Sequence, residues 1–223
     1  MQKAVYILKG GPVENYSVFA TRMLRLARLL SKECTSGSLR ITLTSRKPPL
    51  FSVIPFRRDR VAVISTSGGD DRLFELVSEA DGFKGGYLVE EAVPVAYEKY
   101  WDDLTPTPGI CLLTLFHKKP GIDQEVFIRR WFEGHTPLSL KLHPLWNYNR
   151  NRVEEMITDD SAWYDGIVEE QFRTAADLLN PFNFFGPPLL VPKHMIEVYR
   201  DTKSFIDMKR IETYLATEYH IKS

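Results

Sequence analysis

The pattern of apolar and polar residues in the first half of the chain switches between a strand period and a helix period. Apolar residues run through Lys3–Lys9 and alternate with polar ones over Leu39–Thr44, which predicts two strands. They recur at helical spacing over Glu14–Lys32, which predicts an amphipathic helix. The six predicted elements are Lys3–Lys9, Glu14–Lys32, Leu39–Thr44, Val61–Ser65, Asp71–Ala80 and Tyr87–Tyr97. Their order, strand, helix, strand, strand, helix, strand, is that of a ferredoxin-like βαββαβ unit.

The second half repeats this order at an offset of 108 residues. At that offset Pro12 falls on Pro120, Val18 on Val126, Phe19 on Phe127, Arg22 on Arg130 and the strand Leu39–Thr44 on Asn147–Arg152. The later elements are predicted as a strand at Ile167–Phe172, a short helix at Ala175–Leu179, a fourth strand at Met195–Tyr199 and a terminal helix at Ser204–Tyr219. The pattern therefore predicts an internal duplication, with a degenerate repeat at 1–107 and a second repeat with a C-terminal tail at 108–223.

A four-stranded sheet with helices on one face needs cover on its other face. Two such sheets packed against each other within one chain provide that cover. We therefore predict an α+β fold in which two tandem ferredoxin-like repeats form a single-chain, pseudo-dimeric α/β barrel. The alternative is that each half pairs with a half from another chain, which leaves homo-oligomerisation open.

Composition narrows the classes of partner. The chain has 223 residues, 43% of them hydrophobic, and 29 basic residues balance 29 acidic ones, so no net field favours nucleic acid or an anionic membrane. The apolar run before Gly10 is too short for a signal peptide or a membrane span, and we expect a cytoplasmic protein. No flavin, nicotinamide or haem signature is present, so we predict no cofactor. His117 and His143 lack metal-ligand spacing, so we predict no metal.

His135 is the first candidate catalytic residue. It follows Trp131 by four residues, which places both side chains on one face of a helix. An imidazole that titrates near neutral pH can move a proton to or from a phenol or enol. The alternative is a structural histidine that bonds to backbone where Pro137 interrupts the helix.

Two strands supply further candidates. Alternation places Tyr148 and Arg150 on one face of their strand, where a phenol and a cation would stabilise an enolate or carboxylate. The alternative is an edge-strand surface with Tyr148 as packing. Asp165, beside Tyr164, is a candidate to orient His135 or to act as a base, although Asp before Gly is often a turn residue.

An aromatic segment follows the predicted short helix of the second half. Phe184 lies in the Phe-rich and Pro-rich stretch 180–188, which we interpret either as a flap over an apolar ligand or as packing at the barrel rim.

The stretch FHKKPGIDQEVFIRRWFEGHTPLSLKLHPLWNYNRNRV resembles the EthD family of dimeric α/β barrels. The resemblance rests on a Lys-Pro-Gly turn, a Phe-x-x-x-Trp helix and a His-x-Pro-Leu segment. Trp163–Glu170 is similar to the next strand of the family, and the resemblance covers Ile110–Tyr199 in all. In the first half, Ala27 and Met23 stand where His135 and Trp131 would be. The family takes its name from a protein of oxidative ether degradation, and other members resemble fungal enzymes that decarboxylate or dehydrate aromatic substrates without a cofactor.

Two hypotheses follow. The first is a cofactor-independent enzyme, an oxidoreductase or lyase, with His135, Tyr148 and Asp165 as catalytic residues. A small apolar or aromatic, oxygenated molecule would be its substrate, and the substrate-binding residues would be Trp131, Arg150, Tyr164 and Phe184. The second is a non-catalytic carrier or accessory protein that binds such a molecule in the barrel cavity for a partner oxygenase.

Overall fold

Eight antiparallel strands form a closed barrel in the order β1-β3-β2-β8-β5-β7-β6-β4. The computed structural model describes residues 3–35, 37–68, 70–159 and 161–223. The strands are β1 Lys3–Lys9, β2 Leu39–Leu43, β3 Val61–Ser67, β4 Phe83–Val95, β5 Ile110–Phe116, β6 Leu145–Met156, β7 Gly166–Phe172 and β8 Glu212–Lys222. A closed barrel has no free edges, so each strand is paired on both sides.

Helices cover the outside of the barrel. They are α1 Tyr16–Glu33, α2 Asp71–Ser78, α3 Gln124–Arg129, α4 Thr136–Leu142, α5 Ala175–Leu179, α6 Pro181–Phe184 and α7 Val191–Phe205. A π-helical turn, Arg130–His135, joins α3 to α4. Among the described residues, no helix has the length and apolar character needed to cross a membrane.

The two halves of the chain have the same strand order. It is β4-β1-β3-β2 in the first half and β8-β5-β7-β6 in the second, and the barrel closes where β2 pairs with β8 and β4 pairs with β6. The predicted pseudo-dimeric α/β barrel within one chain is thus confirmed. The common origin of the halves and their division at residue 107 remain predictions.

Two predicted elements near the C-terminus are wrong. Met195–Tyr199 is part of the 15-residue helix α7, where a fourth strand was expected. The fourth strand is β8, and it occupies most of the segment Ser204–Tyr219 that was predicted as a terminal helix. The second repeat therefore has no separate tail, because its last strand is inserted between β2 and β5.

Side chains from both halves fill the barrel interior. One apolar cluster combines Val5, Ile7 and Val63 with Leu113 and Tyr214, among others. A charged layer follows it, in which the ammonium group of Lys3 donates to Glu91 at 2.7 Å and to Asn151 at 2.8 Å. The two sheets are therefore bound to each other through their inner faces, and their outer faces carry the helices.

Candidate functional site

A cavity of about 470 Å³ lies on the outer face of the second half's sheet, under the helices. Leu112, Phe116 and Val168 form its floor, and these side chains pack with helix residues in the outer clusters of the second half. This cavity is therefore not in the barrel interior, where the carrier hypothesis placed the ligand. The interior is occupied by core side chains, and the cavity lies between sheet and helices.

The roof of the cavity comes from two elements. Helix α7 contributes Met195, Val198 and Phe205, which recur at helical spacing. The connection between β2 and β3 contributes Ile54 and Pro55, although it belongs to the first half of the chain. Most of the lining is apolar, which suits an apolar or aromatic ligand. In such a pocket the few polar groups fix the orientation of the ligand.

His135 is the polar centre of the helix-side wall. Its Nδ1 lies 2.6 Å from a carboxylate oxygen of Asp201, and its Nε2 lies 3.2 Å from the hydroxyl oxygen of Ser139. Since the carboxylate can only accept, Nδ1–H is the donor in the first contact, and Nε2 is the nitrogen that can take up a proton on the cavity side. Pro137 does not end the helix, which continues to Leu142, so the ring bonds to side chains rather than to backbone.

The π-helical turn and a glycine position the aromatic part of this wall. Trp131 is buried and lines the cavity together with His135, as their spacing predicts. A methyl group built on Gly166 would lie 2.3 Å from the Phe116 ring and 2.8 Å from the Trp131 ring. Only glycine therefore allows the indole to approach the start of β7 so closely. A π-helical turn inside an α-helix is frequent at functional sites.

Tyr148 and Glu170 are the polar groups of the sheet-side wall. They face each other in register on β6 and β7, and both line the cavity. Burial raises the pKa of Tyr148, and the neighbouring charge of Glu170 adds to the effect. Burial also raises the pKa of Glu170 to about 7, against a smaller opposing effect of the charge on His135.

Phe184 lies in the cavity wall, stacked on His143 at a centroid distance of 3.9 Å. Burial lowers the pKa of His143 to about 4, so this ring is neutral at physiological pH, and its Nδ1 donates to the carbonyl oxygen of Phe184. The aromatic segment thus closes one end of the cavity.

Three of the predicted site residues lie outside the cavity lining. The Asp165 carboxylate accepts from the backbone N–H of Lys118 at 2.8 Å and does not orient His135; that position belongs to Asp201. The Tyr164 hydroxyl donates to Glu212 at the barrel interior. Both residues precede β7, and each has partners outside the cavity: Asp165 caps the backbone of Lys118, and Tyr164 packs in the interior cluster.

Arg150 shares the helix-covered face with Tyr148 but is held beside the cavity. Its guanidinium donates to the Thr136 hydroxyl at 2.7 Å and lies 3.5 Å from the centre of the Phe132 ring. Burial lowers its pKa. The predicted role of Arg150 in holding an anionic ligand therefore has no support from its position.

Two important residues were not identified from the sequence. Glu170 could have been found as one of two adjacent carboxyl groups in the strand GIVEEQF, which is buried throughout. Asp201 could have been found only after α7 was recognised as a helix, from the spacing of Met195, Val198, Thr202 and Phe205. Within the described ranges, no group of three or more His, Cys, Asp or Glu side chains has the geometry to hold a metal ion.

Comparison with known proteins identifies one matching family model and several solved structures of similar fold. Residues 119–208 match the family model of the EthD domain. A solved anthrone oxidase-like protein has a TM-score of 0.63 and 6% identity, over 100% of this chain and 94% of that one. A candidate monooxygenase from Fusobacterium nucleatum has a TM-score of 0.52 and 10% identity, over 99% and 92% of the two chains. No curated protein sequence matches this chain. At these identities the structural likenesses show the fold alone.

Proposed function

We propose that the protein binds a small aromatic, oxygenated molecule and catalyses a proton-transfer step in its oxidation. The match of residues 119–208 to the EthD family model supports this proposal. The observation that carries the proposal is the His135–Asp201 pair in the wall of an apolar cavity. The carboxylate fixes the ring orientation and stabilises the imidazolium that forms when Nε2 takes a proton.

The size and lining of the cavity support this class of ligand. A volume of about 470 Å³ is in the range of drug-sized ligand pockets. Trp131, Phe184 and Phe205 offer aromatic surfaces, and the polar groups stand on opposite walls. A flat, oxygenated aromatic molecule between these walls would meet a base on one side and hydrogen-bonding groups on the other.

Removal of a proton prepares such a molecule for oxidation. A deprotonated phenol or enol is electron-rich and can react with O₂ without a cofactor. For anthrone, the ketone in the name of the fold relative, the overall change with O₂ is conversion to anthraquinone and water. One oxygen atom then enters the product and the other leaves as water. Decarboxylation or dehydration of a related substrate would begin with the same proton transfer.

The test is turnover of anthrone by the purified protein and by His135→Gln. The variant should lower the rate by roughly 100-fold or more, because it removes the general base. Oxygen uptake and anthraquinone absorbance measure the rate, and circular dichroism verifies the fold. Glu197→Gln is the matched control, since Glu197 is exposed on α7 one turn before Asp201.

A non-catalytic carrier is the second candidate, and the largely apolar lining favours it. A carrier would bind anthrone, quench tryptophan fluorescence and leave the compound unchanged in the presence of O₂. Equal turnover by the wild type and His135→Gln would contradict the enzymatic proposal.

A further inference from the structure

We propose that Glu170 is a second catalytic residue of this cavity, a carboxylic acid that protonates the carbonyl oxygen of the substrate while His135 removes a proton from carbon. The inference rests on the proposed function and deepens it, because it assigns a substrate class. That class is a ketone that enolises, with an acidic C–H bond conjugated to its carbonyl group.

The position of Glu170 places it opposite His135. Glu170 lies in the middle of β7, in register with Tyr148 on one side and Leu112 on the other, and its side chain lines the cavity floor. His135 lines the same cavity from the helix layer. A ligand between sheet and helices would therefore contact an acid and a base on its two sides.

The Glu170 carboxyl group has no hydrogen-bond partner among the residues that the structure describes, although it is only 8% exposed. Other buried glutamates are partnered: Glu169 accepts from Thr42, and Glu218 accepts from Tyr97. An isolated carboxylate in an apolar cavity is costly, so the group is kept neutral instead. A neutral carboxyl group is a hydrogen-bond donor that points at the ligand space.

The proposed step balances without a further reactant. The Nε2 atom of His135 takes a proton from the carbon of the ketone, and the C–H electron pair forms the C=C bond of the enol. The carbonyl oxygen gains the electrons of its π bond and receives the proton of Glu170. The products are enol, imidazolium and carboxylate, and transfer of the imidazolium proton to Glu170 restores the enzyme.

Several titratable groups share the cavity and bear on its pH dependence. His143, Tyr148 and Tyr199 line it with His135. Asp201 lies behind His135, and the Arg150 guanidinium lies over the Trp131 ring. With the pKa of Glu170 raised to about 7 by burial, its proton is lost as the pH rises through neutrality. The rate of enolisation should fall over the same range.

Hydrogen exchange under nitrogen isolates this step from oxidation. Anthrone is incubated in D₂O with the wild type, Glu170→Gln or Glu169→Gln, and deuterium at its acidic carbon is followed by mass spectrometry across pH. Glu170→Gln keeps a hydrogen-bond donor but has no proton to give, so exchange should slow by roughly 100-fold or more and lose its fall near neutral pH. Glu169→Gln should match the wild type, because Glu169 faces the barrel interior.

A second measurement reports the carboxyl group directly. Infrared spectra should contain the carbonyl band of a protonated carboxylic acid, and this band should disappear as the pH rises through about 7. The band should shift when anthrone binds, and it should be absent from Glu170→Gln. Wild-type protein without exchange, a band that anthrone leaves unmoved, or full exchange in Glu170→Gln would each overturn the proposal. Slow exchange in Glu170→Gln with full exchange in His135→Gln would instead reject the proposed base and retain the acid.

Discussion

Glu169 and Glu170 are neighbours in one strand, yet they face opposite sides of the barrel wall. Glu169 accepts a hydrogen bond from the Thr42 hydroxyl across the interior, whereas Glu170 faces the ligand cavity. Successive strand residues alternate in direction, so adjacent residues enter different environments. Glu169 has a hydrogen-bond partner for one of its carboxylate oxygens, whereas a buried carboxyl group with none costs stability and is typical of a functional site.

Replacement of Glu170 should therefore stabilise the protein above neutral pH. Its pKa is raised from 4.5 to about 7 in the folded state by burial, so the folded state binds more protons than the unfolded state between those values. Stability contributed by the protonated group is lost as the pH rises through this window. Glu170→Gln should raise the free energy of unfolding by up to about 3 kcal/mol near pH 8 and by little near pH 4.

Denaturant titrations at several pH values measure this difference. Glu197→Gln is the control, because it makes the same chemical change at an exposed position. A difference between wild type and Glu170→Gln that is constant from pH 5 to about 8 would contradict an isolated, buried carboxyl group.

At the scale of elements, α7 decides the chemistry of the site. The five residues Met195–Tyr199 fit a strand when read alone, and a fourth strand was expected at that point in the order. Over 15 residues, the apolar positions instead follow a helical period. The helix covers the cavity and brings Asp201 to His135. The expected fourth strand is β8, which lies further along the chain.

The β2–β3 connection should contribute to ligand binding although it belongs to the first half. Ile54 is 8% exposed and lines the cavity, whereas Leu50 is 75% exposed. Ile54→Ala removes apolar contacts and should weaken the binding of anthrone roughly tenfold, while Leu50→Ala should have little effect. Fluorescence titration gives both dissociation constants. Equal constants for the two variants would show that this wall does not touch the ligand.

A sequence offset does not fix which face a strand residue occupies. The offset of 108 aligns Arg40 with Tyr148, but the structure places Ile41 on the helix-covered face of β2, as Tyr148 is on β6. In the structure, Tyr148 of β6 thus corresponds to Ile41 of β2, one residue later than the sequence offset gives. A one-residue shift exchanges the two faces of a strand, so the repeat alone could not assign the cavity-facing residues.

At the scale of the whole molecule, neither half can complete its core alone. The barrel closes through the β2–β8 and β4–β6 pairs, and its interior joins apolar residues of both halves. A single half would expose the inner face of its sheet and two unpaired strand edges. The two halves of one chain therefore make the sheet-to-sheet contact that two separate subunits would otherwise make.

Fragments 1–107 and 108–223 should therefore not fold as monomers. Each should be disordered, aggregated or self-associated, and their co-expression should yield a 1:1 complex with the circular dichroism of the intact protein. Analytical ultracentrifugation and thermal unfolding distinguish these states. Cooperative unfolding of either fragment as a monomer would contradict the dependence on a shared core.

The sequence by itself determined the order of elements up to α5 and the barrel architecture, because hydrophobic periodicity is a local property. It also identified His135, Trp131, Tyr148 and Phe184, which the structure brings together around one cavity. These residues lie in regular elements whose spacing shows which side chains share a face.

Only the tertiary structure decided what covers the outer face of the second half's sheet and which residues His135 contacts there. Asp201 meets His135 across 66 residues of sequence, and Glu170 meets the cavity because α7 and the β2–β3 connection enclose its side of the sheet. Periodicity sorts residues into two faces, but it does not state which face carries helices or leaves space for a ligand. That choice depends on long-range packing, which places Asp165 and Tyr164 away from the site and Glu170 within it.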